Sequence, residues 1–235
     1  MNPALFLVLT LAWAGLVLAT AAFHLRSLLT RRGLAVLLLG LPAWLGFVGW
    51  LAEAGVIADP TRRPPGAAFI GVPVLLFISL FAVRSQLAGR VAAALPLTLL
   101  IGAQAYRIGV ELALHQLWLD GLVPRMLTFE GANVDLFIGL TAPVAAWLST
   151  RGRAGLRVAW VWNLLGLLAL ANVIVRAALT APGPLNLLAS ELPNLAVGRF
   201  PFTYIAGFLA PLAVLLHVLA LRALRQRFNA APAPG

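Results

Sequence analysis

An all-helical bundle that crosses a membrane seven times is the fold this sequence predicts, and three observations predict it. Of 235 residues, 62% are hydrophobic and only 10% are charged, whereas roughly a quarter of a soluble domain is charged. The apolar residues gather in runs close to the about 20 residues that a helix needs to cross hydrocarbon. The arginines between those runs crowd into every second connection. This composition excludes a soluble globular enzyme, a disordered chain and a fibrous protein.

Apolar runs bounded by Arg, Pro and Gly clusters place the spans at residues 3–24, 34–56, 67–83, 91–119, 133–150, 157–180 and 202–224. The first has no basic residue before it, while Arg26, Arg31 and Arg32 follow. A secretory signal carries its charge in front, so this run reads as a retained helix with its N-terminus outside. The second and third carry Pro42 and Pro73, the fourth Pro96, the fifth Pro143 and the seventh Pro211. Each removes a backbone donor and kinks its helix. The predicted organisation is one seven-helix domain over residues 1–227 and a disordered tail over residues 228–235.

The connections set the orientation. Those after the first, third and fifth runs, together with the tail, hold Arg26, Arg31, Arg32, Arg84, Arg90, Arg151, Arg153, Arg157, Arg222, Arg225 and Arg227, with no acid among them. The opposite connections balance Arg62, Arg63, Arg125 and Arg199 against Asp59, Asp120, Glu130 and Glu191. Basic residues stay cytoplasmic, so the C-terminus lies inside. Arginine-only basic usage with abundant Ala and Leu points to a GC-rich bacterial genome, and hence to a multi-pass protein of the inner membrane. The net charge of +10 is then a topology signal that also attracts anionic lipid heads. It implies no nucleic-acid partner, because a solvated basic face with interleaved aromatics is missing.

Two absences narrow the chemistry. With no cysteine, thiol catalysis, iron–sulfur ligation and Cys-based zinc sites are excluded. With no lysine among the 17 basic residues, a retinal Schiff base is excluded as well.

Chemistry concentrates in polar residues inside the apolar runs, where an ionisable group costs on the order of 2.5–3.5 kcal/mol and needs a partner, a wet pocket or a function. The fourth run carries Gln104, Arg107, Glu111 and His115, which helical periodicity puts in one stripe. The fifth run adds Asn133 and Asp135, the sixth Asn172 and Arg176, and the seventh Tyr204. Topology brings these to one outer level. Three readings follow. In the first, Arg107 pairs with Glu111 and Arg176 with Asp135, as a structural clasp between helices. In the second, Arg107, Glu111, His115, Asn133, Asp135, Asn172, Arg176 and Tyr204 line an outward-facing pocket that binds or transports a small anionic or amphiphilic molecule, the two arginines forking onto an anion. In the third, Glu111, His115 and Asp135 supply acid–base catalysis on a lipid-like substrate.

No metal site or cofactor is expected. Glu111 and His115 offer two ligands on one face without a second histidine at that depth, and His24 with His217 would be the only pair able to clamp a haem iron. The outer segment at residues 181–201 carries an apolar stretch whose Leu185, Leu188 and Leu192 suit a short interfacial helix, a candidate lid over the pocket.

Overall fold

The computed structural model describes residues 2–183, 186–188 and 190–230, and among these it is all helical with no strand. α1 (Pro3–Leu25) starts with Asn2, whose side-chain oxygen accepts from the Ala4 and Leu5 N–H groups, satisfying donors that the first turn leaves free. α2 (Arg31–Glu53) is capped in the same way by Thr30. α3 (Ala68–Leu76) continues as a π-helical segment, Phe77–Arg84, and α4 spans Gln86–Ala94. Then come α5 (Leu97–Gly102), a 3-10 stretch, Ala103–Tyr106, and α6 (Arg107–Leu119), which run on as one rod. α7 (Asp135–Leu148) and α8 (Gly152–Leu179) follow. A π-helical Ile205–Leu209 leads into α9 (Ala210–Ala230).

Five of these helices are long and apolar enough to cross a membrane, or six if the bent α3–α4 pair counts as one span. The molecule is thus a helical bundle compatible with a multi-pass membrane protein. The element missing from the expected seven is α7. Its 14 residues rise only about 21 Å at roughly 1.5 Å per residue, short of the about 30 Å hydrocarbon core.

The predicted 91–119 span is also cut. Pro96 disfavours helical backbone at the residue before it, and Leu95 is extended (φ −90°, ψ 138°), so Val91–Ala94 belongs to α4. Ser85 is extended too (φ −72°, ψ 142°) and caps α4 through its hydroxyl, and here the chain turns by 73°. Arg222 of α9 braces this corner by donating to the carbonyls of Ala82, Val83 and Ser85.

The helices bury two apolar cores. One gathers Phe6, Val48, Leu51, Leu117, Leu127, Leu170 and Phe202 toward the end that holds the acidic connections. The other gathers Leu25, Ala88, Leu97, Leu100, Ala159 and Leu224 toward the arginine-rich end. α9 is the central element, packed on α8, α4 and α5.

Two further expectations need correction. Residues 228–230, expected in a disordered tail, belong to α9, which runs to Ala230; residues 231–235 lie outside the described residues. No helix forms among the described residues of the 185–195 stretch, which Pro193 interrupts. A 3-10 turn, Ala196–Gly198, follows the stretch, and Leu185 and Ala189 lie outside the described residues.

Candidate functional site

Between the two cores lies a polar layer. Gln104, Arg107, Asn163 and His217 each stand, along their own helices, between a residue of one core and a residue of the other. Arg107 is the hub. Its guanidinium forms an ion pair with Asp135 at the start of α7, and its Nη1 donates to His217 Nε2 at 3.1 Å. His217 Nε2 must then be unprotonated, so the ring is neutral and protonated at Nδ1. That nitrogen donates to Asn163 Oδ1 at 2.8 Å, and Asn163 in turn donates to the Ala159 carbonyl. The ring lies against α8 at Gly166, where any Cβ would fall on the imidazole itself.

The layer continues toward the acidic end. Asn133, in the turn before α7, accepts from the Asp135 N–H at 3.0 Å and donates through Nδ2 to Leu127 O at 3.0 Å and to both Glu111 oxygens at 2.8 Å. Arg107, Glu111 and Asp135 are 2%, 1% and 4% exposed. These are buried ionisable groups held by partners from neighbouring segments, as a low-dielectric interior requires.

Beside this layer is a cavity of about 360 Å³, within the roughly 300–1,000 Å³ of small-molecule sites. Its walls come from α3 (Ile70, Val74), α6 (Val110), α8 (Val173, Ala177) and the start of the last helix (Leu209), and they are almost wholly apolar. Arg107, Glu111 and Asp135 are the charged residues that reach it. Toward the acidic end it is roofed by Asn194–Val197. Backbone bonds staple that roof: Asn194 N to Thr180 O at 2.7 Å, and Leu195 N and Ala196 N to Leu122 O at 2.9 and 3.1 Å. Toward the lipid side the lining includes outward-exposed residues, Leu75 of α3 and Ile174 of α8. The cavity therefore opens between helices, and the stapled roof closes the end on which an outward-facing mouth was expected.

The sequence-predicted residues divide into two groups. Arg107, Glu111, Asn133 and Asp135 come together as one connected set. The others stand apart from the cavity. Arg176 Nε donates to Asn172 Oδ1 at 2.8 Å, and Asn172 donates to Ala132 O at 2.8 Å, so this pair fastens α8 to the turn before α7. His115 stacks on Phe129 with ring centroids 4.7 Å apart and has Glu130 at 3.8 Å. Tyr204 donates to Leu45 O of α2 at 3.1 Å. Both clasp pairings are corrected: Arg107 pairs with Asp135, because Asn133 occupies Glu111, and Arg176 pairs with Asn172. The haem clamp also fails, since both His217 nitrogens are engaged inside the bundle. Among the described residues no group of three His, Asp or Glu side chains is arranged to hold a metal ion.

Sequence reasoning missed three tethers on the last helix. Pro211 has no N–H to offer the Gly207 carbonyl one turn earlier, and Trp44 Nε1 donates to that carbonyl at 2.7 Å. Tyr106 donates to Leu209 O, and Gln104 donates to Ala213 O at 3.0 Å. The available signal was Pro211 inside the last run, with Trp44, Gln104 and Tyr106 as donors on other runs.

Residues 65–225 match the model of a family described as a domain of unknown function, DUF8737. No curated protein and no solved structure matches the chain.

Proposed function

We propose that this chain, which belongs to the DUF8737 family, binds or moves a small amphiphilic molecule inside the membrane. The observation that carries the reading is the pairing of an apolar cavity of about 360 Å³ with a single charged patch, Arg107, Glu111 and Asp135, on its wall. An amphiphile fits such a lining, its apolar body against Ile70, Val74, Val173 and Leu209 and its polar head at the patch. The structural clasp accounts for Arg107 and Asp135, yet leaves the cavity beside them without a role. The enzyme reading has lost its imidazole, because His115 does not reach the cavity. The anionic reading has lost its second arginine, because Arg176 serves Asn172.

With this reading goes a topology of seven crossings in a bacterial inner membrane, amino terminus outside. The arginine-rich connections support it. α7 then crosses as a short helix in the lee of α6 and α8, where lipid does not surround it.

The test is native mass spectrometry of the protein purified in a neutral detergent. The reading expects an amphiphile-sized adduct that disappears in Ala177→Trp, whose indole fills the cavity. Identical adducts on wild type and Ala177→Trp overturn it.

A further inference from the structure

We infer that the cavity selects an amphiphile with a cationic, hydrogen-bond-donating head, an alkyl ammonium, and that Glu111 is the residue that receives it. The inference rests on the amphiphile reading and fixes the charge of its ligand.

Charge arithmetic comes first. The charged residues lining the cavity are Arg107, Glu111 and Asp135; with both carboxyls ionised they sum to −1. Nor does His217 add a charge, since its Nε2 accepts from Arg107 and its Nδ1 donates to Asn163. With Glu111 ionised the site is one positive charge short, and a buried carboxyl escapes that cost by taking up a proton when no cation is present.

Hydrogen-bond capacity points the same way. A carboxylate accepts through two oxygens with about four lone-pair sites, and an amide offers two hydrogens. The Asn133 amide is oriented by the Asp135 N–H bonded to its Oδ1. One of its hydrogens serves Leu127 O, which leaves one to be shared by both Glu111 oxygens. Glu111 is 1% exposed and lines the cavity, the side from which a further donor can come. Among the described residues no other donor to it is found. A side chain this buried, this poorly donated to and lining a cavity is an acceptor site for a ligand. An ammonium supplies three donors and the missing charge together.

An anion does not fit. Arg107 gives one terminal nitrogen to Asp135 and the other to His217. Its Nε has no hydrogen-bond partner, Nη2 is in the Asp135 ion pair and Nη1 is on His217, so the forked grip that makes arginine an anion binder is already used. A carboxylate head would meet that lone N–H while facing two carboxyl groups.

Three probes of equal chain length test this: decylamine, decanol and decanoate, titrated calorimetrically into the protein in neutral lipid nanodiscs. The expected result is saturable decylamine binding at least tenfold tighter than decanol, no saturable decanoate binding, and loss of the amine's advantage in Glu111→Gln. The wild-type ranking alone decides the matter if Glu111→Gln fails to fold. Decanoate binding as tightly as decylamine overturns the inference, as does an amine advantage that survives in Glu111→Gln. If all three chains bind equally and Ala177→Trp blocks them, the head-group inference falls and the amphiphile site stands. If none binds, both fall.

Discussion

α1 and α2 differ from the rest of the bundle in what holds them. In each, 22% of the apolar window is buried, against 28% for α8, 44% for the last helix and 50% for the α5–α6 rod. Their outward faces are apolar, with Leu9, Phe23, Val36 and Leu39 exposed, as suits lipid contact. They contribute nothing to the polar layer, and the family match begins only at residue 65, beyond both. The polar layer and the charged wall of the cavity lie wholly inside the matched region. The first two helices form an outer jacket with apolar exposed faces, joined to the polar core by α2, through Trp44 to Gly207 and through Leu45 to Tyr204, and by the α1 rings of Phe6 against Phe202 and Trp13 against Tyr106. The core carries its charges in cross-helix bonds.

That contrast orders the expected effects of substitution. The largest belongs to the ion pair. Asp135→Ala leaves the Arg107 charge buried without its carboxylate, and removing one member of a buried pair costs about 3–5 kcal/mol. Thermal unfolding in detergent should fall accordingly, and Arg107→Met with Asp135→Leu should recover much of the loss. If the double variant shows only the sum of the singles, the two residues do not interact.

Next comes the imidazole. His217→Phe strands Arg107 Nη1 and Asn163 Oδ1, at roughly 1–3 kcal/mol for each unsatisfied group. Asn163→Ala combined with His217→Phe should cost less than the two changes summed, and strict additivity would break the chain of bonds described above.

The smallest effect falls on the jacket. Trp44→Phe removes one hydrogen bond, about 0.5–1.5 kcal/mol. It should speed protease cleavage between α2 and α3 while leaving ligand binding unchanged. A loss of binding as large as that from Glu111→Gln would erase the distinction between jacket and core.

Much of this was legible in the sequence, and what was not has a physical reason. Gln104, Arg107 and Glu111 were readable as one stripe because helical spacing fixes which face a residue occupies. Their partners were not, since spacing along one helix carries no information about which residue of another helix lies opposite. Arg107 was expected to take Glu111 one turn away, and the cross-helix Asp135 took it instead. His217 was weighed only as a partner of His24 for the same reason; counting the rise from the acidic ends of the runs would have put it level with Arg107 and Asn163. Arg222 was read as a cytoplasmic charge, but it braces carbonyls freed where Ser85 breaks the helix. The break at Pro96 was visible as a residue type and invisible as a corner, because a proline kinks one helix and terminates another according to what packs around it.

The most direct test of the central claim is photo-crosslinking with an alkyl-diazirine ammonium probe in nanodiscs, mapped by peptide mass spectrometry. The account predicts adducts on the cavity residues Ile70, Val74, Val110 and Leu209, competed away by decylamine. Adducts confined to outward-facing residues such as Val36, Leu39 and Phe137 would contradict it.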